Sequence, residues 1–92
     1  MKFRVAIPTP LRSYCNGAPA VVIECGAEAP TLSDLLAGLD SAYPGIRFRM
    51  LDEQGKLRPH IQVFVNAVVQ RDPEAFLPPQ AEVMIVAALS GG

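Results

Sequence analysis

Ninety-two residues, half of them hydrophobic and 18% charged, make one small domain and exclude a disordered chain. Eight lysines and arginines against nine acids leave a net charge of -1, which excludes the broad basic face on which nucleic-acid affinity rests. The longest uncharged apolar run, Val83 to Leu89, is too short to cross a bilayer. The N-terminus lacks the apolar stretch and cleavage site of a signal peptide, so the expectation is a soluble, cytoplasmic protein that binds no membrane and no nucleic acid. Charge is unevenly spread: Ser13 to Ile46 holds four acids and no base, while Arg47 to Arg58 is net basic. A solvated surface accounts for this, with a charge-steered protein partner as the alternative.

In chain order, Phe3 to Ile7 alternates with period two, placing Phe3, Val5 and Ile7 on one face and Lys2, Arg4 and Ala6 on the other. Pro8 and Pro10 stop that strand, and a loop runs through Asn16-Gly17, a strong turn signal. A second strand, Ala20 to Cys25, pairs with the first as a hairpin. Thr31 and Asp34 have the spacing of a capping box. Leu32, Leu35, Leu36 and Leu39 follow on one helical face, continued by Tyr43, and Pro44-Gly45 ends the helix. Ile46 to Leu51 reads as a short strand or a helical turn, and Asp52 to Lys56 as a loop tip. A third strand spans His60 to Val65, Asn66-Ala67 turns into a short strand at Val68 to Gln70, and prolines 73, 78 and 79 keep the next stretch irregular. The last strand covers Glu82 to Ala88.

One helix covers one face of such a sheet, and the other face is expected to be polar. Instead Met84, Val86 and Ala88 point outward beside Phe64 and Ala6. Scattered apolar surface residues need no explanation, but clustered on adjacent strands they form a patch, and Phe64, Met84 and Val86 are the candidate docking residues. Cys15 and Cys25 lack CxxC spacing and read as free thiols, Cys15 in a loop and Cys25 half-buried at a strand end. His60 is the sole histidine, with no second ligand in view, and Asp52-Glu53 reads as solvated loop charge. No catalytic residue and no metal site emerge. The chain closes on Leu89-Ser90-Gly91-Gly92. Two glycines without Cβ atoms make a thin, conformationally free tail, suited to presenting its carboxylate inside another protein's active site. Frayed termini are common, so the alternative is an inert end on an interaction module.

The strand-strand-helix-strand-strand order with terminal Gly91-Gly92 resembles the ubiquitin-like β-grasp sulfur carriers of the ThiS and MoaD group. Ile7-Pro8-Thr9-Pro10-Leu11-Arg12, Tyr43-Pro44-Gly45-Ile46 running on to Gly55-Lys56-Leu57, and Val63-Phe64-Val65-Asn66 look most like the longer CysO-type carriers. Before the last strand, where the family often has Gly-Asp-Glu, this chain has Gln80-Ala81-Glu82. The resemblance implies an α+β fold: a β-grasp domain over residues 1–88, with a mixed sheet of four to five strands and one main helix on one face, then a flexible reactive tail over 89–92. It implies a carrier and not an enzyme. An E1-like adenylating enzyme would use ATP to activate Gly92. A sulfur donor such as a rhodanese or cysteine desulfurase would then convert it to a thiocarboxylate, which a sulfur-accepting synthase, for cysteine or another small metabolite, would consume. Gly91, Ser90 and Leu89 would thread the tail, and no cofactor would be bound by this chain. A molybdopterin synthase small subunit and a ubiquitin-like modifier forming isopeptide conjugates are the alternatives of the same kind.

Overall fold

The computed structural model describes residues 1–88, so Leu89, Ser90, Gly91 and Gly92 lie outside the described residues. Five strands form one mixed sheet: β1 (Lys2–Ala6), β2 (Ala20–Glu24), β3 (Ile61–Val65), β4 (Val68–Gln70) and β5 (Glu82–Ala87), in the order β2-β1-β5-β3-β4. The two hairpins, β1 with β2 and β3 with β4, are antiparallel as their sequential pairing requires. β5 enters between them, parallel to β1 and antiparallel to β3. This is the β-grasp arrangement, with α1 (Leu32–Ala42) packed across one face.

The period-two pattern decides which face is covered. Phe3, Val5, Ile7, Val21, Ile23, Ile61, Val63, Val83 and Ile85 are buried in one core with Leu32, Leu35, Leu36 and Leu39 of α1, which are all fully buried. Each such side chain contributes about 1.5–3 kcal/mol on burial. Every buried side chain among the described residues is apolar, so no polar group inside needs a partner. The helix starts as its sequence predicts: Thr31 Oγ1 accepts from Asp34 N at 3.1 Å, and Thr31 N donates to Asp34 Oδ2 at 2.9 Å. Gly38 lets α1 approach β2 closely; a Cβ there would stand 3.1 Å from Ile23 Cγ2.

Three segments differ from expectation. The stretch read as loop between β1 and β2 holds a 3-10 helix, Thr9–Cys15, which begins with proline in its first turn and ends on Asn16 at φ 55. It buries Leu11 and Cys15, so Cys15 is a core thiol and not a loop residue. Cys25 is likewise buried, not half-buried. Ile46 to Leu51 resolves as a helical turn, α2 (Arg47–Met50), which buries Ile46 and Met50, four residues apart, on the same side. Leu51 then bridges Leu57 and closes the loop tip. The capped end of α1 comes one residue before Tyr43, which is the half-buried C-cap, not part of the helix.

Candidate functional site

The uncovered face of the sheet carries one continuous apolar row. Register places Ala20 opposite Ala6, Ala6 opposite Met84, Met84 opposite Phe64 and Phe64 opposite Val69. Five strands thus each contribute one apolar side chain to a stripe running from edge to edge. Met84 at its centre is 49% exposed and Val69 is 40% exposed, while Ala6, Ala20 and Phe64 are half-buried. Val86 stands one pair further along β5 on the same face, opposite Gln62, and is half-buried. On the other flank the row gives way to charge, with Arg4 between Val22 and Glu82. Beyond Val86 an open groove is lined by Ala6, Pro8, Arg12, Pro19, Val86 and Ala87.

Sequence reasoning placed Phe64, Met84 and Val86 together, and the structure brings all three to one face. It missed Ala20 and Val69. The signal for Val69 was present: a two-residue loop at Asn66-Ala67 forces Val65 opposite Val68 and so Phe64 opposite Val69. Ala20 depends on the register of the β1–β2 pairing across a long connection, which no local pattern sets.

The stripe crosses β5, the last strand before the terminal segment, at Met84. β5 ends at Ala87, paired with Ile61, and Ala88 N donates to the His60 carbonyl at 2.8 Å. His60 therefore contributes its backbone here, and among the described residues no cluster of three or more histidines, cysteines or acids has the geometry to hold a metal. Asp52 serves its own loop: Oδ1 accepts from Gln54 N at 2.8 Å and Lys56 N at 3.0 Å. The Lys56 backbone bond holds its carboxyl below the usual range; desolvation opposes it, and the Gln54 N–H and the Arg58 and Lys56 charges add to the lowering. Burial pushes the Cys15 thiol up. Burial and the Asp34 carboxylate push Cys25 up against the opposing Met1 ammonium. Neither thiol is primed as a nucleophile. Among the described residues no helix is long and apolar enough to cross a membrane.

No protein-family model matches the sequence, and the curated proteins give no match. Solved structures do. A chain of the Amycolatopsis orientalis BexX/CysO complex shares 30% identity over 98% of this chain and 99% of its own, with a TM-score of 0.83. CysO of Mycobacterium tuberculosis, described as an antigen, shares 26% over 95% and 99%, with a TM-score of 0.80. SAMP1 of Haloferax volcanii superposes over the full length of both chains with a TM-score of 0.84 at 22% identity, a likeness of fold. With the β-grasp sheet, the apolar stripe and near-complete coverage at that identity, this chain belongs to the CysO-type family of ubiquitin-like sulfur carriers.

Proposed function

We propose that this chain carries sulfur on its C-terminal carboxylate and acts as a co-substrate of partner enzymes, catalysing nothing itself. The Gly92 carboxylate attacks the α-phosphate of ATP in the active site of an E1-like enzyme, releasing pyrophosphate and leaving an acyl-adenylate. The outer sulfur of a persulfide on a rhodanese or cysteine desulfurase then displaces AMP to give an acyl disulfide. A thiol cleaves that S–S bond, releasing the thiocarboxylate and ending as a disulfide; free sulfide displacing AMP gives the thiocarboxylate directly. Its sulfur attacks an activated acceptor in a synthase for cysteine or another small sulfur metabolite, displacing the acceptor's leaving group to form a thioester. Hydrolysis of that acyl bond frees the product and restores the Gly92 carboxylate. Gly91, Ser90 and Leu89 thread the partner's channel, and ATP is held by the partner.

The observation that carries this reading is the 30% identity to a CysO-complex chain across nearly the whole length, in a sequence whose Gly91 and Gly92 stand four and five residues past the end of β5. That relative was solved as a complex with BexX, which supports a protein partner here too. Phe64, Met84 and Val86 dock that partner: an apolar stripe beside the departing strand seats the domain while the tail reaches inward.

The test is the intact mass after incubation with ATP, the host's E1-like enzyme and sulfide. The expected result is a gain equal to exchange of one oxygen for sulfur, abolished by deleting Gly92. An unchanged mass with an enzyme that is active in pyrophosphate exchange refutes the carrier reading. Isopeptide conjugates on target lysines would then assign the same activation to a protein modifier.

A further inference from the structure

Three arginines at one end of the sheet are each held by a hydrogen bond to an uncharged acceptor, and of the three Arg58 also feels the charge of the Asp52 carboxylate. Arg12 donates from Nε to the Ile7 carbonyl at 2.9 Å, Arg49 from Nε to the Tyr14 hydroxyl at 2.7 Å, and Arg58 from Nε to the Phe48 carbonyl at 2.7 Å. Among the described residues these are the hydrogen bonds their side chains make, and all three acceptors are uncharged. Each guanidinium thus keeps its charge and its two terminal amino groups. Arg49 also lies over the Tyr14 ring, 5.9 Å from its centroid, a second restraint on its position.

Arg12 and Arg58 belong to segments at the end of β5, and Arg49 reaches the same 3-10 helix as Arg12 through Tyr14. Because β1 and β5 run parallel, Ile7 and Ala87 share one end of the sheet. β3 runs the other way and begins there, with Ile61 opposite Ala87. Ile61 N donates to the Arg58 carbonyl at 2.9 Å, and Arg58 N to the Met50 carbonyl at 2.8 Å, which ties the basic 47–58 segment to the end of β5. Arg12 lines the same groove as Val86 and Ala87. The neighbouring carboxylates are engaged locally. Asp52 Oδ1 is taken by the N–H groups of its loop, although its charge still reaches Arg58, and Asp40 Oδ1 is taken by Gly45 N at 3.0 Å and Arg47 N at 3.1 Å.

We propose that Arg12, Arg49 and Arg58 form a preformed cationic rim that docks onto carboxylates around the mouth of the partner's active-site channel. This rests on the reading of Gly92 as the reacting carboxylate. Gly92 is four residues beyond Ala88, a reach of at most about 14 Å. With that carboxylate in an adenylating site, the rim stands at the enzyme surface and away from the nucleotide phosphates. Protein carboxylates are therefore its partners. The guanidinium fork matches a carboxylate with two parallel bonds, and side chains already held through Nε lose less freedom on docking. Charge of this kind steers encounter and fixes orientation, while the apolar stripe excludes water beside it.

The experiment measures, with the host's E1-like enzyme, both carrier binding and sulfur gain at low and high ionic strength. It compares wild type, Arg49→Gln/Arg58→Gln and Arg49→Lys/Arg58→Lys, with thermal melts confirming that each is folded. The glutamine variant is expected to weaken binding and raise KM at least about ten-fold at low salt, with kcat within about two-fold. The lysine variant recovers most of that loss, and salt weakens wild type more than the glutamine variant. Wild-type affinity and salt response in the glutamine variant overturn the rim, as does a fall in kcat at unchanged KM. Salt-sensitive, arginine-dependent binding without sulfur gain upholds the rim and refutes the role of Gly92. Sulfur gain indifferent to both arginines does the reverse.

Discussion

Replacing Gln80 by glycine is expected to stabilise the domain, for a reason visible in one turn. Ala81 N donates to the Pro78 carbonyl at 3.2 Å, so residues 78–81 form a β-turn with Pro79 and Gln80 at its centre. Gln80 has φ 57, the left-handed conformation required at the third position of a type II turn and favoured there by glycine. Holding a residue with a Cβ in that region costs about 1–2 kcal/mol. Glycine removes that cost but brings about 0.5–1 kcal/mol of extra backbone freedom to the unfolded chain. The difference leaves a net gain of roughly 0.5–1 kcal/mol, or a rise in Tm of about 2–8 °C for a domain of this size. Thermal unfolding by circular dichroism measures it directly. Gln80→Ala is the control: it removes the exposed side chain but keeps the Cβ, and is expected to change stability by a few tenths of a kcal/mol at most. A glycine variant no more stable than the alanine variant refutes the strain argument.

Ala67, at φ 66 beside Asn66 at φ 50, fills the second central position of the β3–β4 hairpin loop, where Asn-Gly is preferred. Ala67→Gly is expected to add roughly 0.5–1 kcal/mol in urea unfolding, and no gain there would mean the loop is not strained. Thr31→Ala removes half of the capping box and is expected to cost about 1 kcal/mol by the same assay; a loss of under a few tenths would show the cap to be redundant. Met84→Lys keeps an aliphatic stem on the exposed face and is expected to move stability by less than about 0.5 kcal/mol. The same variant should raise the KM of the E1-like enzyme for this carrier at least ~10-fold, and an unchanged KM removes the stripe from docking. The raised thiol pKa values of Cys15 and Cys25 predict slow reaction with a thiol reagent until urea is added. Because the folded chain holds these protons more tightly than the unfolded one, their contribution is intact below the ordinary thiol pKa. It falls away as pH rises through that value towards the folded-state ones. Urea midpoints at neutral pH and at about pH 10 should therefore differ, and prompt labelling of the native protein would contradict the burial of both thiols.

The elements with a clean period were legible before any coordinates. Phe3-Val5-Ile7, the four leucines of α1 and Ile61-Val63-Val65 each announce a buried face, and Thr31 with Asp34 announces the start of the helix. The outward placement of Phe64, Met84 and Val86 followed from the same alternation. What escaped were segments too short to show a period. Leu11 and Cys15 stand four apart, as do Ile46 and Met50, but one such pair does not separate a helical turn from a loop among prolines. Sheet order was also beyond local pattern. The parallel pairing of β1 with β5 joins residues nearly the whole chain apart; resemblance to a family implied a mixed sheet, but not which strands run parallel. Gln80 is instructive in the other direction: the departure from Gly-Asp-Glu was plain in the sequence, but its physical meaning required the sign of φ.

The position of β5 has a consequence for the order in which the protein comes into being. Of the five strands it is the latest to be synthesised, and it fills the central gap between two hairpins that are joined to each other only through it. A chain lacking it would present two separate ribbons, each marginal in water. The strand that completes the sheet also supplies Met84, the middle of the apolar stripe, and leads directly into the terminal residues. On the proposed docking role, a half-made copy would lack the surface a partner recognises, and completion of the fold would license use of the chain's end.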